Sequence, residues 1–274
     1  MSAPAPVDLA QARAALAAVV PRLTRRIRSI TDPTRHAIGV WSAGDVAVHL
    51  ANAWELIPAL AARRVASPLR ELSELEVLTR VTVTRDSDRD SHTVADRIDA
   101  AAAEFNAAMG RADESGTAPW LVQGVDMPLA VFACHLLSES LVHGDDIARA
   151  ERRTWPIERR HAALAVDGFA VPVMRALPPS AMVDQRRAAG LQACFDVRLR
   201  GGRSTVIAID NGALTIDPPA ARQVDCHLSA DPTAMLLVMY GRRRLWSAVG
   251  RGQIIAWGRR PWLAPRLRTA LRNP

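Results

Sequence analysis

The chain has 274 residues, of which 49% are apolar and 23% are charged. This length exceeds that of one typical hydrophobic core, so one large domain or two smaller ones are expected, and the apolar content excludes a disordered chain. The 35 basic residues are all arginine and exceed the 28 acidic residues, for a net charge of +7. With one tyrosine and four phenylalanines, the chain offers few aromatic side chains to stack on bases, which argues against a nucleic-acid surface.

The cysteines and the N-terminal sequence indicate in which cellular compartment the protein is expected. Cys134, Cys194 and Cys226 lie far apart with no CxxC pair, so neither a disulfide framework nor a cysteine zinc cluster is indicated. The N-terminal stretch carries Asp8 and Arg13 and lacks the early positive region of a signal peptide. No apolar run approaches the ~18 residues of a membrane span. We therefore expect a cytoplasmic protein, a monomer or homodimer, without a membrane partner.

The first half of the chain has the pattern of a helical bundle. Apolar residues recur every three or four positions over residues 9–30, after an N-cap at Asp8 and with a kink at Pro21. A second helix is predicted to start at Ser42, with Asp45 at the position of a capping acid. Its predicted inward face consists of Val46, His49, Ala53, Leu56 and Leu60.

Two further helices complete the predicted bundle. The third has Thr93 as its N-cap, after a polar stretch over residues 87–91. Its predicted inward residues are Val94, Ile98, Phe105 and Met109. The fourth opens at residues 127–128 and runs to about Arg152.

The pattern changes after Arg153, where prolines interrupt the helical periodicity and short strand-like runs begin. Residues 195–199 alternate apolar and polar, the glycine pair at 201–202 turns the chain, and residues 211–212 form a tight Asn-Gly hairpin turn. Further strands are predicted in VDCHLS and QIIAW, with helices from Asp231 to Met239 and from Pro261. The chain is therefore predicted to contain a helical domain over residues 1–153 and an α+β domain over residues 154–274.

The fourth helix carries polar residues where apolar ones are expected. Its spacings of three and four place on one face Leu129, Phe132, Leu136, Glu139, His143 and Asp146. A buried carboxylate without a partner is costly, so Glu139 needs a cation, a hydrogen-bond donor or a metal. His49 interrupts the apolar face of the second helix in the same way. Glu139, His143 and His49 thus form the arrangement that builds a metal site inside a helical bundle, with three protein ligands and one open position, as in catalytic zinc sites.

Simpler interpretations of the same residues stay open. A histidine on an apolar face is often a core residue bonded to backbone, and the Glu139–His143 spacing occurs by chance as an ion pair. His135, four residues before Glu139, is the alternative ligand. A Glu139 carboxylate that merely pairs with an arginine would indicate a chain without a metal.

Two segments carry a family resemblance. WSAGDVAVHLA contains Trp41, Asp45 and His49, and ESLVHGDDIARA contains Glu139, His143 and Asp146. Together they resemble the mycothiol-dependent maleylpyruvate isomerase family, a group of DinB-like four-helix-bundle metalloenzymes with a smaller sterol-carrier-like α+β domain at the C-terminus. The resemblance implies that His49, Glu139 and His143 bind a divalent metal, zinc above all, and that Asp146 supports them.

The resemblance also implies the chemistry. The metal would bind the external thiol mycothiol as a thiolate, which adds to an electrophilic double bond. Expulsion of the thiol after bond rotation gives an isomerase, and retention gives an S-transferase. The chain's own Cys134 falls nine residues before His143, about 180° round an ideal helix, so it faces away from the ligands.

The substrate in the resembled family is a dicarboxylate, so the resemblance implies a cationic side chain that binds it. Arg242 occupies the GR position of the resembled C-terminal segment and suits bidentate carboxylate binding, with Arg243 and Arg244 as the next candidates. Asp145 departs from the family pattern, which often has an aromatic residue there. The alternative function is a non-catalytic zinc-containing binding or regulatory protein whose C-terminal domain holds an apolar ligand; a fourth protein ligand would favour it.

Overall fold

The computed structural model describes residues 7–113, 115–219 and 222–272. It divides into two compact units, Met1–Pro156 and Ile157–Pro274. The division predicted after Arg153 falls three residues before this one, and the ends of the predicted domains, residues 1–6 and 273–274, lie outside the described residues. Over the described ranges, no helix combines the length and the apolar character that crossing a bilayer requires.

The first unit is built on a bundle of four long helices. These helices are α1 (Leu9–Arg28), α2 (Ala43–Ala61), α4 (Ser91–Met109) and α5 (Leu129–Ala150). Helices α1 and α2 each pack against both α4 and α5. The shorter elements are α3 (Leu75–Arg85) and two hairpins, β1 (His36–Ile38) with β2 (Trp41–Ser42) and β3 (Thr117–Pro119) with β4 (Asp126–Pro128). The predicted helical bundle is confirmed.

Local capping sets where the helices begin. The Asp8 carboxylate accepts a hydrogen bond from the backbone N–H of Ala10 at 2.7 Å, as its assignment as an N-cap predicts. Ser42 and Asp45 form a reciprocal capping box at the start of α2. The Asp45 carboxylate also binds the Arg89 guanidinium at 3.0 Å, which ties the start of α2 to the segment before α4.

One prediction for the helices was wrong, and one helix was not predicted. The N-cap of α4 is Asp90, not Thr93, because the Asp90 carboxylate accepts both the backbone N–H and the hydroxyl of Thr93. A carboxylate acceptor satisfies a first-turn N–H better than a hydroxyl that is itself engaged as a donor. Helix α3 was not predicted; it buries only Val83, so it lacks the apolar periodicity that reveals a helix.

The inward face of α2 is also broader than predicted. Ala53 and Leu56 are half-buried, whereas Leu50 and Trp54 are almost completely buried. Because α2 packs against α4 and α5 at once, its buried surface extends beyond the single stripe that helical periodicity suggests.

The second unit begins with helices, where strand-like runs were expected. Helix α6 (Arg159–Ala165) continues through a π-helical turn (Val166–Ala170) into α7 (Val171–Ala176), and the short α8 (Pro179–Met182) and α9 (Gln185–Ala188) follow. The proline pair at 178–179 does end α7, as expected of residues that cannot continue a helix. The prolines therefore mark the breaks between helices and not the onset of strands.

A five-stranded sheet follows. Its strands are β5 (Gln192–Leu199), β6 (Ser204–Asp210), β7 (Ala213–Ile216), β8 (Cys226–Ala230) and β9 (Ile254–Trp257), in the order β7-β6-β5-β8-β9, with only β5 and β8 parallel. The helices among and after these strands are α10 (Pro232–Met239), α11 (Leu245–Gly250) and α12 (Ala264–Ala270). Asn211 and Gly212, with φ of 49° and 93°, form the predicted hairpin turn between β6 and β7. The α+β character predicted for this half is confirmed.

Gly144, which directly follows His143 in α5 (the HG pair), packs against a tryptophan ring that leaves no room for a side chain. The indole of Trp155 lies so close that a Cβ at position 144 would be 2.5 Å from its ring carbon Cε2. The indole N–H donates to the carbonyl of Leu141 at 3.0 Å, and Arg22 covers the ring at 4.8 Å from its centroid. An added methyl group would therefore displace either the indole, which makes these two contacts, or the helix.

We predict that Gly144→Ala lowers the free energy of unfolding by about 1–3 kcal/mol, since overpacking forces either Trp155 or α5 to shift. Urea denaturation of the metal-free protein measures this. Gly250→Ala is the matched control, because a Cβ there meets nothing within 4 Å, and its stability should stay close to that of the unmodified chain. Equal stability of the two variants would contradict the packing argument.

Candidate metal centre

Three side chains from two helices meet inside the bundle. Glu139 and His143 lie one turn apart on α5, and His49 reaches them from α2. The Glu139 Oε2 atom is 3.0 Å from the His49 Nε2 atom and 3.4 Å from the His143 Nε2 atom. The three side chains are 12–16% exposed. The structure thus brings together all three residues that the sequence singled out as ligands.

The protonation of the cluster follows from burial and from its partners. Burial opposes ionisation of the Glu139 carboxyl, but hydrogen bonds from His135, His143 and His49 hold its pKa well below the usual range. Burial lowers the pKa of His49. Burial also opposes the charge on His143, yet the hydrogen bonds to Asp146 and Glu139 raise its pKa to about 9. An ionised carboxylate therefore lies between a neutral and a charged imidazole.

Asp146 orients the His143 ring. Its Oδ2 atom is 2.9 Å from the His143 Nδ1 atom, and the residue is 1% exposed. Since Nδ1–H donates to this carboxylate, the Nε2 atom is the one directed at Glu139. This is the relation in which a carboxylate sets the tautomer of a metal-binding histidine.

Two aromatic residues and a further histidine surround the cluster. The Trp41 ring lies 5.2 Å from the His49 ring, which itself meets the His143 ring edge-on at 4.8 Å. His135 contacts the other oxygen of Glu139, with 3.6 Å between His135 Nε2 and Glu139 Oε1. Trp120 lies behind His135, with 3.4 Å between the indole Nε1 and the imidazole Nδ1. Sequence analysis missed Trp120, because a core tryptophan in a loop carries no periodic signal.

The donor set fits a divalent cation. Zinc binds histidine nitrogen and carboxylate oxygen at about 2.0–2.2 Å in a tetrahedron, which places ligand atoms about 3.4 Å from one another. The Glu139 oxygen already lies 3.0 and 3.4 Å from the two histidine nitrogens, and the three atoms all lie within 4.8 Å of one another. Across the described ranges, His49, Glu139 and His143 make up the one group of three or more such residues with this spacing.

The contacts of Glu139 test the interpretation in which its carboxylate pairs with an arginine and no metal binds. The described residues give its carboxylate three histidine contacts within 4 Å: His49, His135 and His143. None is an arginine, so the metal-free interpretation of Glu139 as half of an arginine pair finds no support in these contacts. An acid among three imidazoles is a set of donors that a metal uses.

The cysteines are buried free thiols. Burial raises the pKa of the Cys194 and Cys226 thiols, and the nearby Asp225 carboxylate raises both further. These two thiols are therefore protonated at neutral pH and poorly nucleophilic. Cys134 is fully buried within α5.

Arg242 lies in the second unit, in the turn after α10. Its guanidinium donates to the carbonyl of Tyr240 at 2.7 Å, and its backbone N–H donates to the carbonyl of Leu237. Arg243 binds the side chain of Gln253, and Arg244 precedes the first residue of α11. The part of Arg242 in substrate binding stays a prediction.

Comparison with known proteins identifies the family. The model of the mycothiol maleylpyruvate isomerase N-terminal domain matches residues 9–148. No sequence match was found among curated proteins. A solved structure of a sec-alkylsulfatase from Pseudomonas sp. aligns over 53% of this chain and 24% of its own at 14% identity. Its TM-score of 0.29 is too low to support an argument.

The crystal structure of the mycothiol-dependent maleylpyruvate isomerase has a similar fold. It aligns over 86% of this chain and 90% of its own at 12% identity, with a TM-score of 0.50. A histidine-to-alanine mutant of the isomerase aligns over 91% and 93% at 10% identity, again with a TM-score of 0.50. The family model covers more than half of the residues, including His49, Glu139 and His143. This chain belongs to the mycothiol maleylpyruvate isomerase family.

Proposed function

We propose that the chain is a metal-dependent enzyme that uses mycothiol, adding its sulfur to an electrophilic small molecule as a maleylpyruvate isomerase-like enzyme or an S-transferase. The observation that carries the proposal is the meeting of His49, Glu139 and His143 in one partly buried cluster. Membership in the family supports mycothiol as the thiol. The raised pKa values of Cys194 and Cys226 support an external thiol over one of these two.

The three proposed ligands and Asp146 have different tasks. Glu139, His49 and His143 hold the cation, for which the mixed nitrogen and oxygen donors favour zinc. When bound, the cation stabilises a thiolate at neutral pH. Asp146 keeps the proton of His143 on Nδ1, so that Nε2 is the coordinating atom. The ionised Glu139 carboxylate offsets the positive charge without the cost of losing a proton.

The thiol is regenerated in an isomerase and consumed in a transferase. In the first case one C–S bond forms, the neighbouring C–C bond rotates, and the same C–S bond breaks. In the second case the product keeps the C–S bond, and the neighbouring carbon takes up a proton in place of the one that the thiol lost. Arg242 is proposed to bind the carboxylate of an anionic substrate, since a guanidinium matches a carboxylate with two parallel hydrogen bonds. We place this reaction in the cytoplasm, where thiols are kept reduced.

A non-catalytic role remains the second candidate, favoured by an apolar cavity in the second unit. The cavity has a volume of about 100 Å³, and its walls include Met174, Ile207, Leu228, Met235, Val238 and Met239. An apolar cavity of this order binds a molecule of benzene size. A closed structural zinc site would accompany such a role, whereas the proposed enzyme needs an open coordination position.

Elemental analysis of the purified protein, followed by a thiol-addition assay, tests the proposed function. We expect one equivalent of zinc per chain and mycothiol-dependent conversion of maleylpyruvate or another electrophilic dicarboxylate. Glutathione in place of mycothiol is the control for unspecific thiol addition. The structural role would be favoured by a protein that holds one zinc per chain but whose cobalt-substituted form does not change its visible spectrum when mycothiol is added.

We predict that His143→Ala abolishes metal binding, because two ligands do not hold a zinc ion against a chelator. Asp146→Asn should weaken the affinity by roughly 10- to 100-fold, since it loses the charged acceptor for Nδ1–H. Dialysis against a mild chelator with metal analysis measures both. The exposed His92 offers a matched control, His92→Ala, that should keep its metal. Stoichiometric metal in His143→Ala would show that the ligand assignment is wrong.

The pH dependence of stability in the metal-free protein tests His143. Its pKa is raised from 6.5 to about 9, so the folded state holds the proton more tightly than the unfolded state. The stabilisation is fully present below pH 6.5 and is lost as the pH rises through about 9. We expect the free energy of unfolding to fall by on the order of 3 kcal/mol over this window, measured by urea denaturation. His143→Gln should lose this dependence, and an unchanged slope in that variant would assign the proton to another group.

We predict that Arg242→Met lowers kcat/KM for a dicarboxylate substrate more than Arg242→Lys does, with the metal content of both unchanged. Lysine keeps the charge but loses the two-pronged contact, whereas methionine loses both. Arg251→Met, which changes an exposed arginine of the same unit, should keep full activity. Full activity of Arg242→Met would place the cation elsewhere, with Arg243 and Arg244 the next residues to test.

A further inference from the structure

His135 lies between Trp120 and Glu139 in the interior of the first unit. The indole Nε1 of Trp120 is 3.4 Å from His135 Nδ1, and His135 Nε2 is 3.6 Å from Glu139 Oε1. The His135 side chain is 7% exposed, and Trp120 is 2% exposed. The imidazole thus lies between a buried indole and the partly buried carboxylate of Glu139.

The indole determines which nitrogen of His135 carries its proton. An indole N–H is a donor only, so the Nδ1 atom that faces it has to act as the acceptor. A proton on the ring is then placed on Nε2, the atom that faces Glu139. A protonated Nε2 has no lone pair for a metal, but it donates to a carboxylate. His135 is therefore suited to support Glu139 and unsuited to replace a ligand through Nε2.

The two oxygens of Glu139 face different partners. His49 and His143 approach Oε2, whereas His135 approaches Oε1. His135 and His143 lie four residues before and after Glu139, so one imidazole lies a helical turn to each side of the carboxylate. The 3.6 Å contact at Oε1 favours the orientation of the carboxylate in which Oε2 is directed at the other two histidines.

We propose that His135, held by Trp120, is a positioning residue that fixes the carboxylate of Glu139 through Oε1, so that Glu139 binds the cation through Oε2 alone. The inference rests on the proposed function, because it assumes that His49, Glu139 and His143 hold a metal. It also gives a reason why the site keeps an open position. The histidine that the sequence offered as a replacement ligand donates a hydrogen bond instead.

Two substitutions at position 135 separate positioning from coordination. In His135→Gln the amide oxygen accepts from the indole and the amide nitrogen donates to Glu139, so both contacts are preserved. In His135→Leu both are lost, because an apolar side chain of similar size replaces the imidazole. Ser140→Ala is the matched control, since Ser140 is a buried polar residue of the same helix whose hydroxyl donates to the carbonyl of Leu136 at 2.7 Å.

The readouts are zinc affinity by chelator competition and the visible absorption spectrum of the cobalt-substituted protein. We expect His135→Leu to bind zinc roughly 10- to 100-fold more weakly and to alter the cobalt spectrum. His135→Gln and Ser140→Ala should retain the affinity and spectrum of the unmodified chain. A merely structural role would lower thermal stability in His135→Leu without changing the cobalt spectrum. An unaltered affinity and spectrum in His135→Leu, or equal losses in the Gln and Leu variants, would overturn the proposal.

Nitrogen NMR of the metal-free protein tests the same proposal without a metal. We expect the His135 ring to show a protonated Nε2 and an accepting Nδ1, and Trp120→Phe to remove this preference. A proton on Nδ1 in the unmodified chain would overturn the inference. If the unmodified chain takes up no metal while the Nε2 proton is observed, the proposed function fails but the hydrogen bond from His135 to Glu139 stands.

Discussion

The partly buried carboxylate of Glu139 imposes the requirement on which the rest of the candidate site depends. An ionised carboxylate inside a helical bundle is stable only if donors and positive charge compensate for the water it has lost. Here three imidazoles supply them, one from α2 and two from α5 itself. Asp146 and Trp120 in turn contact this group through a histidine each.

Both oxygens of the Glu139 carboxylate have histidine partners, and these contacts orient the carboxylate. Asp146 aligns His143, and Trp120 aligns His135, so each α5 histidine is itself bonded at the nitrogen that faces away from Glu139. Buried polar networks of this kind define one arrangement of side chains when all their members have partners. The residues of the candidate site are thereby held in position, which would reduce the cost of organising them for the proposed cation.

The packing of α5 also holds the site residues in position. Gly144 follows His143 directly and admits the Trp155 indole against the helix backbone, and the indole N–H donates to the carbonyl of Leu141. A larger residue at this position would displace either the indole or the helix segment that carries His143. The glycine of the HG pair is therefore part of the support of the site, although it offers no side chain to it.

Much of this was predictable from the sequence, for reasons that are local. The capping residues Asp8 and Ser42 act on N–H groups within three positions, and a four-residue spacing places Glu139 and His143 on one helical face in any helix. Sequence also determined that His49 interrupts an apolar stripe. Only the tertiary structure decided that His49 meets Glu139, and that His135 contacts the opposite oxygen with Trp120 behind it, because these contacts join residues of separate elements or depend on rotamers that packing selects. The sequence therefore determined which residues need partners, and the packing of the helices decided which partners they have.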